Sequence, residues 1–410
     1  MGGLESLFTR AFKLESPWEI TDIEFNEREG RINVHIDFPR GSVFECPKCK
    51  KEVKAYDTIE KEWRHLNFFQ YACYWVVRVP RTDCPEDGVL QVEVSWARNG
   101  ADFTFLFESF AMTLCREMPV NKVSQIIGVD DNKLWRMMRY YTEAARQLED
   151  HSGVSKIGID ETASSRGHKY VSLFVDLEDK KTLFVVEGKG AETVVEFKKD
   201  FIAHGGCPEN ITDASIDMSP AFIKGIEENF PRAEITFDKF HIMKILNKAV
   251  DEVRKAEVRE RNILRGQKYL FLKNRETLSE AQKEILEAIE SMPQLNLKTI
   301  RAYHIRENFQ GIYKETTREE FEEALKKWYF WATHSRIDPI KQAAKTIKRH
   351  WTGVIRWFDS KVSNGILEGL NSLIQAAKAK ARGYKTFKNI KIIIYMLTGK
   401  LNYSKVGLPT

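Results

Sequence analysis

Four stretches with different spacings of apolar residues follow one another along the chain, and a single amphipathic helix closes it. Residues 1–98 alternate apolar and polar positions in short β-like runs at 31–38, 71–79 and 89–94, with a Cys-Pro-Lys-Cys knuckle between the first two. Residues 102–150 turn to helical spacing, with Pro119 their one proline. From Lys156 to Asp238 the reading is β-β-β-α-β-α-β. Residues 239–362 are almost wholly helical and highly charged.

The third stretch has the clearest punctuation. Residues 156–160 read as a short buried strand ending in Asp160. Apolar runs at 168–177 and 182–187 flank Glu178-Asp179-Lys180-Lys181, which predicts a hairpin. Val194, Val195, Phe197, Phe201 and Ile202 recur at near-helical spacing over 191–204, and Gly205-Gly206 supplies a helix stop. A strand over 210–216 runs straight into Asp217. Ser219-Pro220 then offers an N-cap and a first-turn proline for a helix to about Asn229, and a fifth strand over 233–237 ends at Asp238. Three strands, a helix, a strand, a helix and a strand is the order of an RNase H-like core. The expected fold class is multidomain α/β.

Asp160 and Asp217 then stand at the ends of two strands that this order makes neighbours. Adjacent carboxylates repel, so such a pair is normally held by a divalent cation, and Mg²⁺ takes oxygen ligands. Aspartates also cap strand ends and turns without any metal. The closing helix, expected to run to Arg382 and stop at Gly383, brings a third carboxylate. Glu368, Asn371, Gln375, Lys378 and Arg382 share its polar face; Leu367, Leu370, Leu373, Ile374, Ala377 and Ala381 cover the other. The apolar face is expected to dock on the sheet, leaving Glu368 near the strand ends and Lys378 and Arg382 along a bound polyanion. An ordinary amphipathic surface helix carries the same pattern. Strand alternation turns Glu161 away from Asp160. Asp238 and His241 lie one helical turn apart. They read either as a proton carrier or phosphate contact, or as a helix cap beside a packed histidine.

Charge adds one point. A net +5 on 64 basic and 59 acidic side chains says little, and residues 1–30 are acidic. Residues 371–391, however, carry Lys378, Lys380, Arg382, Lys385, Lys388 and Lys391 with no acid, which suits a polyanion, although a solvated helix face looks alike. Residues 118–141 have helix-turn-helix spacing. Val123, Ile127, Val129, Leu134 and Met137 point inward, Gly128 begins the turn, and Asp130 or Asp131 caps the second helix. Asn132, Lys133, Arg136 and Arg139 are then expected to be exposed towards DNA, although helical bundles produce the same pattern.

Four of the six cysteines fall in the first ninety residues, which favours metal over disulfides. Cys46 and Cys49 have knuckle spacing for one Zn²⁺, and Cys84-Pro-Glu-Asp87 supplies the returning half. The fourth ligand is open between Asp87, Cys73 and His65. Cys115 and Cys207 read as buried thiols.

Taken together, Gly-Ile-Asp160-Glu, Ser-Ile-Asp217-Met-Ser-Pro-Ala-Phe, Phe-Asp238-Lys-Phe-His241 and Ser-Asn-Gly-Ile-Leu-Glu368-Gly-Leu-Asn371 resemble successive signatures of the ISL3 family of insertion-sequence transposases. Arg382-Gly383-Tyr384 matches too, and the resemblance covers nearly the whole chain. It implies that Asp160, Asp217 and Glu368 form a DDE triad, and that 239–362 is a helical insertion before the last catalytic helix. This accounts for the 151 positions between Asp217 and Glu368. It also implies an N-terminal zinc finger and a helix-turn-helix. The family usually has a second good zinc ligand, Cys or His, where this chain has Asp87.

The expected domains are thus a zinc-finger-like region (1–98), a helix-turn-helix (102–150), a first part of the core (154–238), the insertion (239–362) and the final catalytic helix with the C-terminus (363–410). The expected activity is transposition: recognition of terminal inverted repeats, then Mg²⁺-dependent strand cleavage and strand transfer. Two Mg²⁺ ions serve it, with Mn²⁺ able to substitute. Double-stranded element ends and target DNA are the partners, and paired ends imply a homodimer or higher assembly. A catalytically silent DNA-binding repressor and an RNase H-like structure-selective nuclease are the alternatives; the intact acidic triad speaks against the first, and the separate sequence-reading module against the second. The chain has neither a P-loop nor a Gly-x-Ser-x-Gly elbow, so ATP-driven and acyl-enzyme chemistry are not expected. No apolar run approaches the ~18–20 residues of a membrane span, and residues 1–15 lack a signal-peptide core. The expected location is the bacterial cytoplasm, at the nucleoid.

Overall fold

The computed structural model describes residues 3–165, 169–292, 295–360 and 365–409. The chain forms two compact units. One runs to Leu148 and includes the segment from Leu401 onward; the other is Glu149–Lys400.

The first unit contains α1 (Gly3–Ala11), β1 (Glu19–Asn26), β2 (Arg31–Asp37), β3 (Val43–Glu45), β4 (Glu52–Arg64), β5 (Ala72–Cys84) and β6 (Gly88–Gln91). The sheet order is β1-β2-β5-β4-β3, with β6 also on β5 and with β2 and β5 parallel. Ile32, Val34 and Ile36 of β2, and Cys73, Trp75, Val77 and Val79 of β5, fill one core. Trp96 packs there with its ring 5.0 Å from Trp18 and 5.6 Å from Trp75. Three strands are additions to the expected set: β1, the short β3, and the thirteen-residue β4, whose face is charged and largely exposed. Three helices follow: α2 (Phe105–Glu117), α3 (Val120–Ile127) and α4 (Asp131–Gln147).

The second unit opens with β7 (Lys156–Ser165), β8 (Lys169–Asp176), β9 (Lys181–Glu187), α5 (Ala191–Ala203), β10 (Asp213–Ile216), α6 (Pro220–Asn229) and β11 (Glu234–Phe237). The expected element order is found, and the sheet order is β11-β10-β7-β8-β9. β7, β8 and β9 are an antiparallel meander, and β10 and β11 run parallel to β7. Among the described residues, seven α-helices come next: α7 (Lys239–Glu257), α8 (Lys268–Leu272), α9 (Glu280–Glu290), α10 (Lys298–Ile312), α11 (Arg318–His334), α12 (Asp338–Arg349) and α13 (Trp351–Ser360). One buried cluster joins Ile157, Ile159 and Phe197 at the sheet to Phe309, Leu325 and Trp328 within these helices. The chain ends with α14 (Gly365–Lys380) and α15 (Phe387–Thr398). His168, Ser363 and Asn364 of the expected elements lie outside the described residues.

Two boundaries differ from expectation and matter for the site. β7 does not end at Asp160; it continues to Ser165, because β8 goes on pairing with it from Asp160 opposite Leu173 to Ser165 opposite Lys169. α14 stops earlier than Arg382. Arg382 itself takes the left-handed conformation (φ 56°), and the Gly383 N–H returns to the Lys378 carbonyl at 2.9 Å, so the stop uses both residues.

Candidate active site

Parallel register aligns three aspartates. Ser215 of β10 pairs with Gly158 of β7, and Ile216 pairs with Phe237 of β11. Continuing those ladders sets Asp217 level with Asp160 on one side and Asp238 on the other, in a row at the carboxyl ends of β10 and β11 and beside the middle of the longer β7. Carboxyl ends of strands are where open α/β sheets place their ligands. Each aspartate has one oxygen tied by a nearby backbone N–H: Glu161 to Asp160 at 2.7 Å, Ser219 to Asp217 at 2.9 Å, and Phe240 to Asp238 at 3.0 Å. Asp238 thereby caps α7, and its other oxygen accepts from His241 Nδ1 at 2.9 Å.

Glu368 reaches this row through a match of periods between α14 and β7. Two strand residues advance ~6.6 Å and four helical residues ~6 Å, so i, i+2 on one can track i, i+4 on the other. Gly158 lies against Leu367, Asn371 donates to Asp160, and Gln375 donates to the Thr162 hydroxyl. Lys378 closes the series on the Ala163 carbonyl. The glycine at 158 leaves room for Leu367, since a Cβ there would stand 3.0 and 3.1 Å from its methyls. This corrects the expected docking. The polar face of α14 lies along β7 with buried Leu367 and Ile374 beside it, whereas Leu373 of the apolar face is 53% exposed. The expected logic equated polar with solvent, but the extension of β7 is itself polar. Lys378 is accordingly engaged with protein, and Arg382 stands beyond the helix on a separate groove of about 740 Å³ with Ser164, Tyr384 and Lys385.

Electrostatics bind the row together. The Asp160 carboxyl lies above its ordinary pKa, first through burial and then through the charges of Asp217 and Asp238. Glu368 is raised likewise, by burial and then by Asp238 and Asp160. His241 is raised by its hydrogen bond to Asp238, with Asp160 and Asp217 adding to it. Asp238 is thus a helix cap, and His241 faces the acidic row. Glu161 is also raised, by burial and then by Asp217, so its position on the opposite face of β7 does not isolate it from the site.

A cavity of about 780 Å³ adjoins the row. Asp160, Asp238, His241 and Glu368 line it, as do Lys244, Asn247 and Trp357 from the helical segment; Asp217 stands in the row but not on this wall. Arg306 forms part of the lining and is fully employed, with Nε donating to Asn247 at 3.0 Å and further bonds to the Leu272 and Lys273 carbonyls. None of these helical contributions carried a local sequence signal, because each depends on how α7, α10 and α13 pack. Asp160, Glu368 and the buried Asn371 Oδ1, which has no hydrogen-bond partner among the described residues, are oxygen donors of the kind a hard divalent cation takes. The oxygens of Asp160, Asp217 and Glu368 are not all within 4.8 Å of one another, a more open set than a closed coordination shell.

The cysteine cluster is tighter. Cys46, Cys49, Cys84 and Asp87 bring their ligand atoms within 4.8 Å of one another. Cys46 Sγ and Cys84 Sγ lie 3.4 and 3.8 Å from Asp87 Oδ2, and Cys49 Sγ lies 3.4 Å from Cys84 Sγ. A tetrahedral zinc shell has edges of roughly 3.5–3.8 Å, so the four residues fit. Backbone N–H groups of Glu86 and Asp87 hold the Cys84 thiol below its ordinary pKa, towards the ligating thiolate. Of the three candidates for the fourth place, Asp87 is the one that lies beside the thiols. Cys73 is a core residue, and His65 Nδ1 instead lies 2.8 Å from Thr104 Oγ1. Cys115 is buried as expected, but Cys207 is half-exposed, with its thiol 3.1 Å from Glu209.

In the 118–141 region, Gly128 takes a left-handed turn (φ 66°) between α3 and α4, and the Asp130 side chain caps α4 through the Asn132 N–H. Asn132, Lys133 and Arg136 are exposed, but Arg139 is half-buried, contrary to expectation, because it shares its side of α4 with the buried Thr142 and Arg146. Lys133 and Arg136 both pair with Asp102, at 3.3 and 3.0 Å. Among the described residues, no helix is long and apolar enough to cross a membrane.

Comparison with known proteins agrees with this layout. Residues 42–87 match the zinc-finger of transposases IS204/IS1001/IS1096/IS1165, and residues 92–142 match the helix-turn-helix domain of transposase family ISL3. The chain is 26% identical to the transposase for insertion sequence element IS1557 of Mycobacterium tuberculosis, over 96% of this chain and 95% of that one. It is 24% identical to the transposase for insertion sequence element IS1001 of Bordetella parapertussis, over 88% and 91%. The ISL3 transposase family model matches residues 157–394, which is more than half of the chain and holds the whole acidic row. The chain belongs to the ISL3 family of DDE transposases.

Proposed function

We propose that this transposase binds the terminal inverted repeats of an insertion sequence, cleaves its strands and transfers them to target DNA at Asp160, Asp217 and Glu368. The observation that carries the reading is the alignment of Asp160 and Asp217 by parallel register with Glu368 delivered beside them by α14. In this reading 154–238 and 363–410 form an RNase H-like core, 239–362 is a helical insertion, and 1–98 and 102–150 are the zinc-finger and helix-turn-helix domains. Asp160, Asp217 and Glu368 would hold two Mg²⁺ ions, which when bound stabilise the attacking and leaving oxygens of an in-line phosphoryl displacement. Cys46, Cys49, Cys84 and Asp87 would hold a structural Zn²⁺.

The protein's own groups do the positioning. Asn371 fixes the rotamer of Asp160. Asp238 holds the His241 ring through Nδ1, which leaves Nε2 as the atom that can exchange a proton with reacting DNA. Lys133 and Arg136 of α4 are the proposed reading residues, and Arg382 flanks the DNA path. Two ends require two active sites, so the working form is a dimer or larger, on the nucleoid in the bacterial cytoplasm.

Glu368→Gln is the test. It keeps side-chain size and removes the charge a cation requires. The variant should bind labelled element ends normally in Mg²⁺ yet lose cleavage and strand transfer. Near-normal cleavage would refute the assignment of Glu368, and absence of cleavage by the unsubstituted protein would favour a silent DNA-binding protein.

A further inference from the structure

We infer that His151, Asp200 and His204 form a second transition-metal site of the zinc class, separate from the cysteine cluster and from the acidic row. The ligand atoms of the three residues lie within 4.8 Å of one another. Asp200 and His204 are one turn apart at the carboxyl end of α5, which puts both on one face. His204 Nδ1 is 3.4 Å from Asp200 Oδ2, and the edge of a tetrahedral shell with ~2.0–2.1 Å bonds is roughly 3.3–3.4 Å. The same nitrogen has the Asp200 carbonyl at 2.7 Å as acceptor when it is protonated, so metal uptake there would displace a proton.

His151 completes the set from the segment that leads into β7. Its side chain is wholly buried, stacked on Phe201 at 5.7 Å and with its ring 4.9 Å from that of His204. His151 also donates its backbone N–H to the His204 carbonyl at 2.8 Å, which fixes the two segments at the spacing the side chains need. Glu149 Oε2, 3.9 Å from His151 Nε2, stands near enough to offer a fourth donor. Two imidazoles with carboxylate oxygen suit Zn²⁺ rather than Mg²⁺, and differ from the thiolate-rich set at Cys46. A bound ion would tie residues 149–155 to the end of α5, and so brace the strand that carries Asp160.

The full-length protein, loaded with Zn²⁺ and desalted, decides the matter by metal counting and zinc-edge X-ray absorption. The expected result is about two tightly held ions per chain, with imidazole back-scattering alongside thiolate sulfur. His204→Ala and Asp200→Asn should each lose one ion together with the imidazole signal and keep the sulfur signal. The rise in melting midpoint that Zn²⁺ gives the parent should shrink equally in both. Absence of imidazole back-scattering from the unsubstituted protein would overturn the site, and this measurement stands even if a variant fails to fold. Retention of that signal in a folded His204→Ala variant would overturn it too.

Discussion

Gly158→Ala perturbs the contact through which α14 positions Glu368. The added methyl would stand 2.8 Å from Leu177 Cδ2 and 3.0 and 3.1 Å from the two Leu367 methyls. Overpacking of a buried site costs ~1–3 kcal/mol. The obstacles here are side-chain tips, which can give way, so the lower part of that range applies, about 1–2 kcal/mol. Replacing glycine also restricts the unfolded chain, which offsets about 0.4–1 kcal/mol. The balance is a net loss of about 0–1.6 kcal/mol. Leu367→Val alone should cost about 1 kcal/mol for one buried methylene. The double variant should be better than the sum by at least ~0.5 kcal/mol, because the shorter side chain makes room for the new methyl. Urea midpoints followed by tryptophan fluorescence give the stability differences. Cleavage of a labelled element end gives the functional one: a shift of α14 approaching 1 Å should cost up to ~100-fold, with end-binding unchanged and the double variant partly restored. Strict additivity in stability, with parental cleavage by Gly158→Ala, would refute the docking of α14 on β7 as the device that positions Glu368.

Three further outcomes are expected. Burial holds His65 at a pKa of about 4, against an ordinary 6.5, so the folded state keeps it neutral. The stabilisation this gives is complete above pH 6.5 and is lost as pH falls from there towards 4, by on the order of 2–4 kcal/mol; the melting midpoint of His65→Asn should fall less over that window, and identical pH profiles would refute the reading. Asp87→Cys should tighten zinc at the N-terminal cluster and Asp87→Ala should weaken it, measured by competition with a chromogenic chelator; equal affinities would remove Asp87 from the shell. Asp102→Asn should release Lys133 and Arg136 and strengthen binding to element ends, whereas Arg136→Ala should lose about 1–3 kcal/mol if it reads a base edge; unchanged affinity in both would move recognition away from the start of α4.

Local pattern carried far in the second unit and less far in the first. β8, β9 and β11 are apolar runs closed by turn or capping residues, and Ser219-Pro220 opens α6 as the sequence indicates. β4 has no such signature. Glu52, Lys54, Glu60 and Lys61 lie on it, and it is a strand because β5 pairs along its length, from Ala55 opposite Thr82 to Arg64 opposite Tyr74. Arg81 with Asp57, and Arg31 with Glu62, add cross-strand ion pairs that alternation alone does not reveal. The end of β7 was invisible for a related reason. Past Asp160 its residues turn polar, and pairing with β8, a contact made across a hairpin, keeps them extended.

The candidate site was legible as residues and, through the element order, as neighbours on the sheet, but not in its register or in the docking of α14. Asp160, Asp217 and Asp238 were each visible as acids at strand ends, but their alignment rests on two parallel registers, which no local window contains. Glu368 was visible on a polar helix face, yet that face was assigned to solvent and DNA. Hydrophobic periodicity reports which side of a helix prefers to leave water, and it assumes that the surface it meets is apolar. Here the surface is the polar extension of β7, and Asn371 and Gln375 satisfy Asp160 and Thr162 where water otherwise would. Such a seam has a consequence that an apolar one lacks. Loss of Asn371 leaves one oxygen of Asp160 without its side-chain donor in a half-buried place, beside Asp217 and Asp238, whose charges already raise its pKa. Asp160 therefore depends on α14 for its rotamer as well as for a neighbouring carboxylate, and the two contributions arrive together or not at all.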